Sequence, residues 1–144
     1  MFKINKKVEY AFMALMHIHE KQPHELTSVK EICDCCGSPF DVTSRSMQKM
    51  VSANLLKSEK GAHGGYSLIQ DLSQVNVLQF IEMVVEPVTV VDCAKADNTC
   101  ALASSCNVVT PLLKLNEKLR HFFSELTLKE LLETEKAALT TEVI

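Results

Sequence analysis

The stretch Ser28-Val-Lys-Glu-Ile-Cys-Asp-Cys-Cys-Gly-Ser-Pro-Phe-Asp41 decides the fold of this chain. Ser28 and Glu31 have the spacing of a capping box and predict the start of a short helix, and Gly37 is placed to end it. Ser38-Pro39-Phe40-Asp41 then supplies an N-cap, a proline at the first helical position and an acid in the first turn of a second helix. Two helices joined by a tight turn with glycine predict a helix-turn-helix motif.

The second predicted helix has an apolar face and a polar face. The core face is predicted to hold Phe40, Met47, Met50 and Val51. The other face holds Asp41, Ser44, Arg45 and Gln48 at helical spacing. Arginine can make two hydrogen bonds to guanine and glutamine two to adenine, so this face has the chemistry for base contacts in a DNA major groove. An ordinary solvated face is the alternative.

A β-hairpin is predicted directly after the second helix. Two strand-like runs within 55–69 flank a tip that holds three of the four glycines, as expected where the backbone turns at positive φ or approaches another segment closely. A hairpin behind a helix-turn-helix is a winged helix. Candidate contacts to phosphates or the minor groove are Lys57, Lys60 and His63, and Ser38 and Lys49 complete the candidate DNA-binding residues. A nucleotide phosphate loop is a weaker alternative, because no helix N-terminus follows these glycines.

Residues 5–20 are predicted to form a helix that precedes this motif. Its apolar stripe consists of Val8, Ala11, Phe12, Leu15, Met16 and Ile18. Glu9 lies beside the stripe, where it is either a rim carboxylate paired with Lys6 or a ligand that reaches across an interface. His17 and His19 lie near the helix end, where histidine is favourable in any case, so they are assigned no role.

Two further helices are predicted behind the hairpin. Asn76 and Gln79 cap one that stops before Pro87. A second has apolar residues at alternating spacings of four and three, the pattern of a coiled-coil seam, and therefore predicts a homodimer through residues 108–126. The seam residues are Val108, Leu112, Leu115, Leu119, Phe122 and Leu126. Thr127 is predicted to cap a final short helix.

Three cysteines lie in the loop between these two helices. Six residues separate Cys93 from Cys100, and five separate Cys100 from Cys106. Thiolates favour zinc, copper(I) and iron–sulfur clusters. Zinc sites typically space their cysteines by about two to four residues, whereas longer gaps suit a larger inorganic core. Taken singly, each cysteine is equally typical of a small buried side chain.

Composition describes one globular unit without a membrane span. The chain has 144 residues, of which 47% are hydrophobic and 23% charged, which is enough for a hydrophobic core. It lacks an apolar run of about eighteen residues and a signal-peptide pattern, so a cytoplasmic protein is expected. Six cysteines in that setting indicate reduced thiols or metal ligands.

Charge is divided unevenly along the chain. Residues 1–66 hold nine Lys and Arg against seven Asp and Glu, a net charge of +2, and residues 67–144 hold six against eleven, a net charge of −5. The basic surface therefore belongs to the predicted winged helix. No paired acid and base, nucleophile motif or cofactor loop is recognisable in the sequence, which indicates that the protein is not an enzyme.

With these motifs in this order, residues 2–135 resemble the IscR/NsrR-type family of winged-helix iron–sulfur cluster transcriptional regulators. The specific elements are Lys60-Gly-Ala-His-Gly-Gly-Tyr66, the triplet Cys93, Cys100 and Cys106, and the opening Lys7-Val-Glu-Tyr-Ala11. The resemblance implies a mainly α fold with a small β wing, in which a winged helix-turn-helix domain is followed by a long dimerisation helix. It also implies a homodimeric regulator, expected to be a repressor, that binds a double-stranded DNA operator.

In this family the three loop cysteines hold a [2Fe–2S] or [4Fe–4S] cluster that senses redox state, nitric oxide or iron–sulfur supply. The resemblance implies that Arg45 and its neighbours contact the major groove and that Lys60 contacts the minor groove. Some members place a histidine three residues after the last cysteine, where this chain has Val109, and the first cysteine gap is one residue longer than usual. Other members complete the cluster with an acidic residue from the partner subunit, which corresponds to Glu9.

The expected organisation is a DNA-binding domain at 1–72, a connecting helix and core at 73–92, a cluster-binding loop at 93–106, and dimerisation and C-terminal helices at 107–138. Two other functions stay open: a metal-free or zinc-bound winged-helix regulator that uses its thiols directly, and a winged-helix protein-interaction adaptor. Cys33 is expected in the core, whereas Cys35 and Cys36 are expected to be partly exposed, as oxidation sensors or sites for adventitious metal.

Overall fold

Six α-helices and one two-stranded antiparallel sheet make up this computed structural model, which describes residues 3–95, 100–102 and 104–133. The elements are α1 (Lys6–His19), α2 (Val29–Cys36), α3 (Phe40–Ser52), β1 (Leu56–Glu59), β2 (Gly65–Leu68), α4 (Val77–Val84), α5 (Val109–Glu125) and α6 (Leu128–Leu132). Short 3₁₀ turns lie at Leu72–Gln74 and Asp92–Ala94. This order confirms the predicted fold class, mainly α with a small β wing and a long helix near the C-terminal end.

Helix α1 lies at the centre of the hydrophobic core. Asn5 caps it by accepting a hydrogen bond from the backbone N–H of Lys7 at 2.9 Å. Its buried side chains are Val8, Ala11, Ala14, Leu15 and Ile18. On one edge, the ring of Phe12 packs against Phe80 of α4 with their centroids 4.4 Å apart. The predicted helix and its apolar stripe are therefore confirmed.

Helix α2 begins after Ser28 and ends at Gly37, as the sequence predicts. Ser28 Oγ accepts from the backbone N–H of Glu31 at 3.1 Å, and Gly37 ends α2 in the left-handed conformation at φ 67°. The Glu31 carboxylate does not return to Ser28. It pairs with Lys21 and lies 3.3 Å from His17 Nε2, so the other half of the predicted capping box is replaced by contacts with α1 and the segment that follows it.

The predicted start of α3 is wrong by one residue. Pro39 is the N-cap, α3 begins at Phe40, and no side chain caps it. Ser38 is buried, and its Oγ accepts a hydrogen bond from Thr43 Oγ1 at 2.9 Å. Its own hydroxyl points to Cys33 Sγ at 3.7 Å. A buried hydroxyl needs a partner inside the protein, and Ser38 finds it in Thr43 rather than in the helix backbone.

The predicted core face of α3 is wrong at Phe40, whose side chain is 56% exposed. Met47 and Met50 are fully buried as expected, and Thr43 and Ser46 are buried beside them. Both hydroxyls donate to the carbonyl four residues earlier, at 2.9 Å, so they enter the core without an unpaired polar atom. The burial of Thr43 and Ser46 could not be predicted from the spacing of apolar side chains, because both residues are polar.

The wing has the predicted antiparallel pairing, with Leu56 opposite Leu68 and Glu59 opposite Gly65. Gly61 turns the tip at φ 118°. At Gly65 an added Cβ would lie 2.8 Å from the carbonyl oxygen of Thr27. Thr27 exchanges two backbone hydrogen bonds of 2.9 Å with Tyr66, so the segment before α2 is anchored to the wing. The close approach expected for these glycines is confirmed.

The C-terminal helices are tied back to the winged domain at the start of α4. Asn76 and Thr127 each head a complete capping box, as their sequence patterns predict. The N–H of Val77 donates to Leu126 O, and the N–H of Leu128 donates to Val75 O, both at 2.8 Å. Leu128 is fully buried. Within the described residues, no helix is both long and apolar enough to cross a membrane.

Candidate nucleic-acid interface and cysteine sites

Helix α3 presents a polar face on the outside of the winged domain. Asp41, Arg45 and Gln48 are exposed, and Ser44 is half-buried on the same face. In the part of the chain that the structure describes, Arg45 has no acidic side chain within salt-bridge distance. A forked cation and an amide on a protruding helix can form hydrogen bonds to base edges.

Two of the candidate DNA contacts have hydrogen-bond partners within the protein, and of these two Lys49 is exposed. Ser38 is only 6% exposed and lies between Cys33 and Thr43. Lys49 Nζ donates to the carbonyl oxygen of Val84 at 2.6 Å. That carbonyl belongs to the last turn of α4, whose backbone acceptors have no partner within the helix. Lys49 therefore joins α3 to the C-terminal end of α4.

The wing carries three basic or polar side chains with different surroundings. Lys57 Nζ lies 3.0 Å from Glu59 Oε1 on the same strand, so an acidic neighbour already offsets part of its charge. Lys60 and His63 are exposed at the tip. The tip is thus the more strongly basic part of the wing.

The predicted apolar seam on α5 divides into two rows. Val108, Leu115 and Phe122 repeat every seven residues and are 48%, 51% and 59% exposed. The other row, Leu112, Leu119 and Leu126, is half-buried, and Leu126 packs on the hydrophobic core. A heptad row of large apolar side chains on the surface is typical of a helix that packs against a partner.

The three loop cysteines lie at both ends of the loop and within it. Cys93 is half-buried in the 3₁₀ turn at Asp92–Ala94, Cys100 is exposed, and Cys106 is half-buried three residues before α5 begins. Residues 96–99 and 103 fall outside the described residues. None of the six cysteines, all of which are described, forms a disulfide.

Two polar residues of α5 hold the segment that leads to Cys93. Asn116 is only 7% exposed, and its Oδ1 accepts from the backbone N–H of Val90 at 2.9 Å. Arg120 pairs with Glu82 and donates to Val88 O at 3.1 Å. Neither residue was expected to matter from the sequence. The one available signal is a short amide at position 116, inside a helix with a strong apolar pattern.

Glu9 lies on the rim of α1. Its Oε2 is 2.5 Å from Lys6 Nζ, and its side chain is 32% exposed. The predicted pairing with Lys6 is confirmed within one chain. The carboxylate stays accessible on the surface in this pair.

A second thiol site lies where α1 meets the end of α2. The ligand atoms of His17, Cys35 and Cys36 lie within 4.8 Å of one another. Cys35 is exposed and Cys36 half-buried, and Cys33 packs on the core as predicted. Burial raises the pKa of the Cys36 thiol, and Cys35 adds to the effect. Lys21 lowers the pKa of the Glu31 carboxyl group beside His17. No sequence pattern links His17 to the thiols, because their proximity depends on helix packing.

Known proteins match this arrangement over almost the whole chain. Residues 4–134 match the model of the family Rrf2, which is described as an iron-dependent transcriptional regulator. The chain belongs to the Rrf2 family. A curated relative, the HTH-type transcriptional regulator NsrR of Shouchella clausii (strain KSM-K16), is 20% identical over 134 residues, which cover 92% of this chain and 90% of the relative.

Another Rrf2-type relative is the HTH-type transcriptional regulator IscR of Vibrio atlanticus (strain LGP32), which is 26% identical over 132 residues, or 91% of this chain and 75% of the relative. The solved structure of CymR, the global cysteine regulator of B. subtilis, has a TM-score of 0.68 at 20% identity and covers 92% of this chain and 97% of CymR. At that identity the likeness shows the fold alone. These relatives are transcriptional regulators and not enzymes, as the sequence predicted.

The hydrogen bond from Lys49 to α4 predicts that Lys49 contributes to the stability of the fold, whereas Arg45 does not. Lys49→Met keeps the aliphatic stem and removes the ammonium group. We expect a loss of about 0.5–1 kcal/mol in the free energy of unfolding, because the end of α4 loses a cation at its carbonyl oxygens. Urea unfolding measures the change. The matched control is Arg45→Met on the exposed face, which should change stability by less than about 0.5 kcal/mol; equal stability of both variants would contradict the assignment.

Proposed function

We propose that this Rrf2-family regulator is a DNA-binding repressor whose DNA affinity is set by an iron–sulfur cluster that senses redox state, nitric oxide or iron–sulfur supply. The observation that carries the proposal is the position of three reduced thiols directly ahead of α5, the helix with the exposed heptad row. The proposed units are the DNA-binding domain 1–72, the connecting core 73–92, the cluster loop 93–106 and the dimerisation and C-terminal helices 107–138.

In this proposal α3 and the wing make the DNA contacts. Arg45 and Gln48 contact base edges in the major groove, with Asp41 and Ser44 beside them. Lys60 and His63 at the wing tip, with Lys57 on β1, contact phosphates or the minor groove. Ser38 and Lys49 act indirectly, because their hydrogen bonds to Thr43 and Val84 hold α3 in place.

The operator contacts require two copies of the chain. The row Val108, Leu115 and Phe122 leaves three large apolar side chains on the surface of one helix. A second copy can cover them with its own row about a twofold axis, as in a coiled-coil seam. The two α3 helices would then meet successive major grooves of one duplex. The half-buried row of α5 stays against its own domain.

The donors present in the loop fit an iron–sulfur cluster. Cys93, Cys100 and Cys106 are thiols outside any disulfide, and two of the three are half-buried. They would hold three corners of the cluster, and Glu9 of the partner subunit is the proposed fourth ligand. A bound cluster supplies a centre that oxidants and nitric oxide can alter. A carboxylate is a harder ligand than a thiolate and would bind iron in a sulfide core more weakly, so Glu9 would be the ligand that exchanges most readily.

The chain connects this loop to the dimer interface by a short path. Cys106 lies three residues before α5, and Cys93 follows the segment that Asn116 and Arg120 of α5 hold. A change in the loop would therefore act on α5 at two places, at its first residue and at Asn116 and Arg120. A small rotation of that helix at a twofold interface changes the separation of the two α3 helices and hence the fit to DNA.

The DNA contacts make a testable prediction for duplexes selected from a random library by the purified chain. Arg45→Ala should lose about 1–3 kcal/mol of discrimination between the selected site and its variants, because a two-bond contact to a base is removed. Lys60→Ala should weaken binding to all duplexes and reduce the salt slope by about one. Fluorescence anisotropy measures both effects.

The control for these variants is Lys118→Ala, which removes an exposed cation from α5 and should leave DNA binding unchanged. Failure to enrich any duplex, or an affinity that does not fall with salt, would overturn the DNA-binding mode. Binding to proteins instead would favour the adaptor function.

The cluster makes a second prediction, for protein purified without oxygen. We expect about two or four irons per chain with matching acid-labile sulfide and a visible absorption spectrum that nitric oxide or oxygen changes. Cys93→Ser should lose the iron, whereas the matched Cys35→Ser variant, with its thiol outside the loop, should retain it.

The ligand role of Glu9 is tested in the same assay. Glu9→Ala should lower cluster yield and alter the spectrum, whereas Lys6→Ala breaks the same ion pair but keeps the carboxylate and should not. An unchanged cluster in Glu9→Ala rules out Glu9 as ligand. Colourless protein with stoichiometric zinc or no metal, even after anaerobic reconstitution, contradicts the cluster and favours direct use of the thiols.

The exposed row makes a third prediction, for oligomeric state. Leu115→Glu combined with Phe122→Glu should convert the dimer to a monomer, because charges would be buried in an apolar seam. Sedimentation equilibrium measures the mass. Lys114→Glu, an exposed position on the same helix, is the control and should remain dimeric. A monomeric wild-type protein, or a double variant that still dimerises, would show that the row has another purpose.

A further inference from the structure

The site at the junction of α1 and α2 contains donors that the proposed regulator function does not use. His17, Cys35 and Cys36 come from the last turns of two different helices, and their ligand atoms all lie within 4.8 Å of one another. Within residues 3–95, 100–102 and 104–133, no other set of three or more histidine, cysteine and acidic side chains meets that condition. The sulfur atoms of the three loop cysteines therefore do not all lie within 4.8 Å of one another.

The spacing of these donors suits one small cation. A tetrahedral ion bound at about 2.3 Å to sulfur and about 2.0–2.1 Å to nitrogen holds its ligand atoms about 3.5–3.8 Å apart. Small side-chain rotations would bring the three donors from within 4.8 Å to that separation. Two thiolates and one imidazole are a donor set that zinc accepts well.

We propose that His17, Cys35 and Cys36 form a binding site for a zinc-type divalent cation, separate from the loop cysteines. Three protein ligands leave the fourth position of a tetrahedral ion to water. Cys35 is exposed and the other two donors are half-buried, so the ion can enter from solvent and exchange. The site is therefore a candidate sensor or regulatory site within the DNA-binding domain itself.

A carboxylate already orients the histidine. Glu31 Oε1 lies 3.3 Å from His17 Nε2, and Lys21 pairs with the same oxygen. Metal-binding histidines usually have a carboxylate or carbonyl partner outside the ligand set, which holds the ring in position. Because Glu31 lies on Nε2, it would have that role for an ion bound at Nδ1 of His17. It can do so because it does not return to Ser28 to complete the capping box.

The location of the site gives metal binding a structural consequence. Helix α1 is immobilised by its buried face, whereas Cys35 and Cys36 directly precede Gly37, the left-handed residue that ends α2. An ion that links His17 to both thiols would tie the turn before α3 to the centre of the domain. We expect the backbone amides of Gly37, Ser38, Phe40 and Asp41 to exchange with solvent more slowly when the ion is bound.

The test uses the full chain with Cys93, Cys100 and Cys106 each changed to Ser, so that the loop cannot bind metal. After reduction and treatment with a chelator, the protein is titrated with Co²⁺ and then with Zn²⁺. We expect one Co²⁺ per chain, a thiolate-to-cobalt absorption band, and loss of that band as Zn²⁺ displaces cobalt. Co²⁺ is the probe because its spectrum reports thiolate ligation directly.

Substitutions in that background identify the ligands. Cys35→Ser and His17→Ala should each weaken cobalt binding by about 100-fold or more, and Glu31→Gln by about tenfold, as expected for a partner outside the ligand set. His19→Ala, two residues further along α1, is the matched control and should bind as tightly as its parent. Cys35 is exposed, so its substitution should leave the fold intact and provides a test even if His17→Ala unfolds.

The proposal is overturned if no cobalt binds, if the absorption band lacks thiolate character, or if His17→Ala and His19→Ala bind equally. Amide exchange at residues 37–41 that is unchanged by Zn²⁺ would overturn the proposed link to the turn. Both experiments are carried out without DNA. Their outcome is therefore independent of whether the proposed cluster-dependent repressor function is correct.

Discussion

The burial of one face of α1 is the constraint on which the rest of the structure depends. Ala11 and Ala14 are fully buried and have no side chain beyond Cβ, so α2, α3, α4 and β2 can all pack around this helix. Rotation of α1 would bring polar side chains into the core at a cost of several kcal/mol. Because the helix cannot rotate, Glu9 is held at the rim and His17 is held toward the thiols of α2. One buried stripe thereby orients two candidate ligands.

Helix α5 divides its side chains between contacts with its own domain and an exposed apolar row. Asn116 and Arg120 bond the segment before Cys93, and Leu126 packs on the core. The row from Val108 to Phe122 faces outward. A helix with two such attachments would transmit a shift of the loop to any partner that covers the outer row. Buried polar contacts suit this role, since they have one satisfied geometry and tolerate few alternatives.

Features that depend on neighbouring residues could be predicted from the amino-acid sequence. Ser28 and Gly37 set the limits of α2, and Asn76 and Thr127 start α4 and α6, because a cap is completed within about one helical turn. The wing followed from its glycines and strand-like runs. The apolar stripe of α1 was likewise predictable, since helical periodicity alone selects one face. The loop cysteines were recognisable as a candidate site through their number and spacing.

The packing of the helices determines which polar residues enter the core and which distant residues meet. Thr43 can be buried because its hydroxyl group has hydrogen-bond partners in Pro39 O and Ser38 Oγ. Phe40, which was expected in the core, is exposed. Lys49 is exposed, but its ammonium group bonds the carbonyl oxygen of Val84, because the end of α4 lies beside it. His17 joins the α2 thiols across a packing interface between two helices. The contacts of Lys49 and His17 join segments far apart in the chain, and such contacts leave no periodicity or local motif in the sequence.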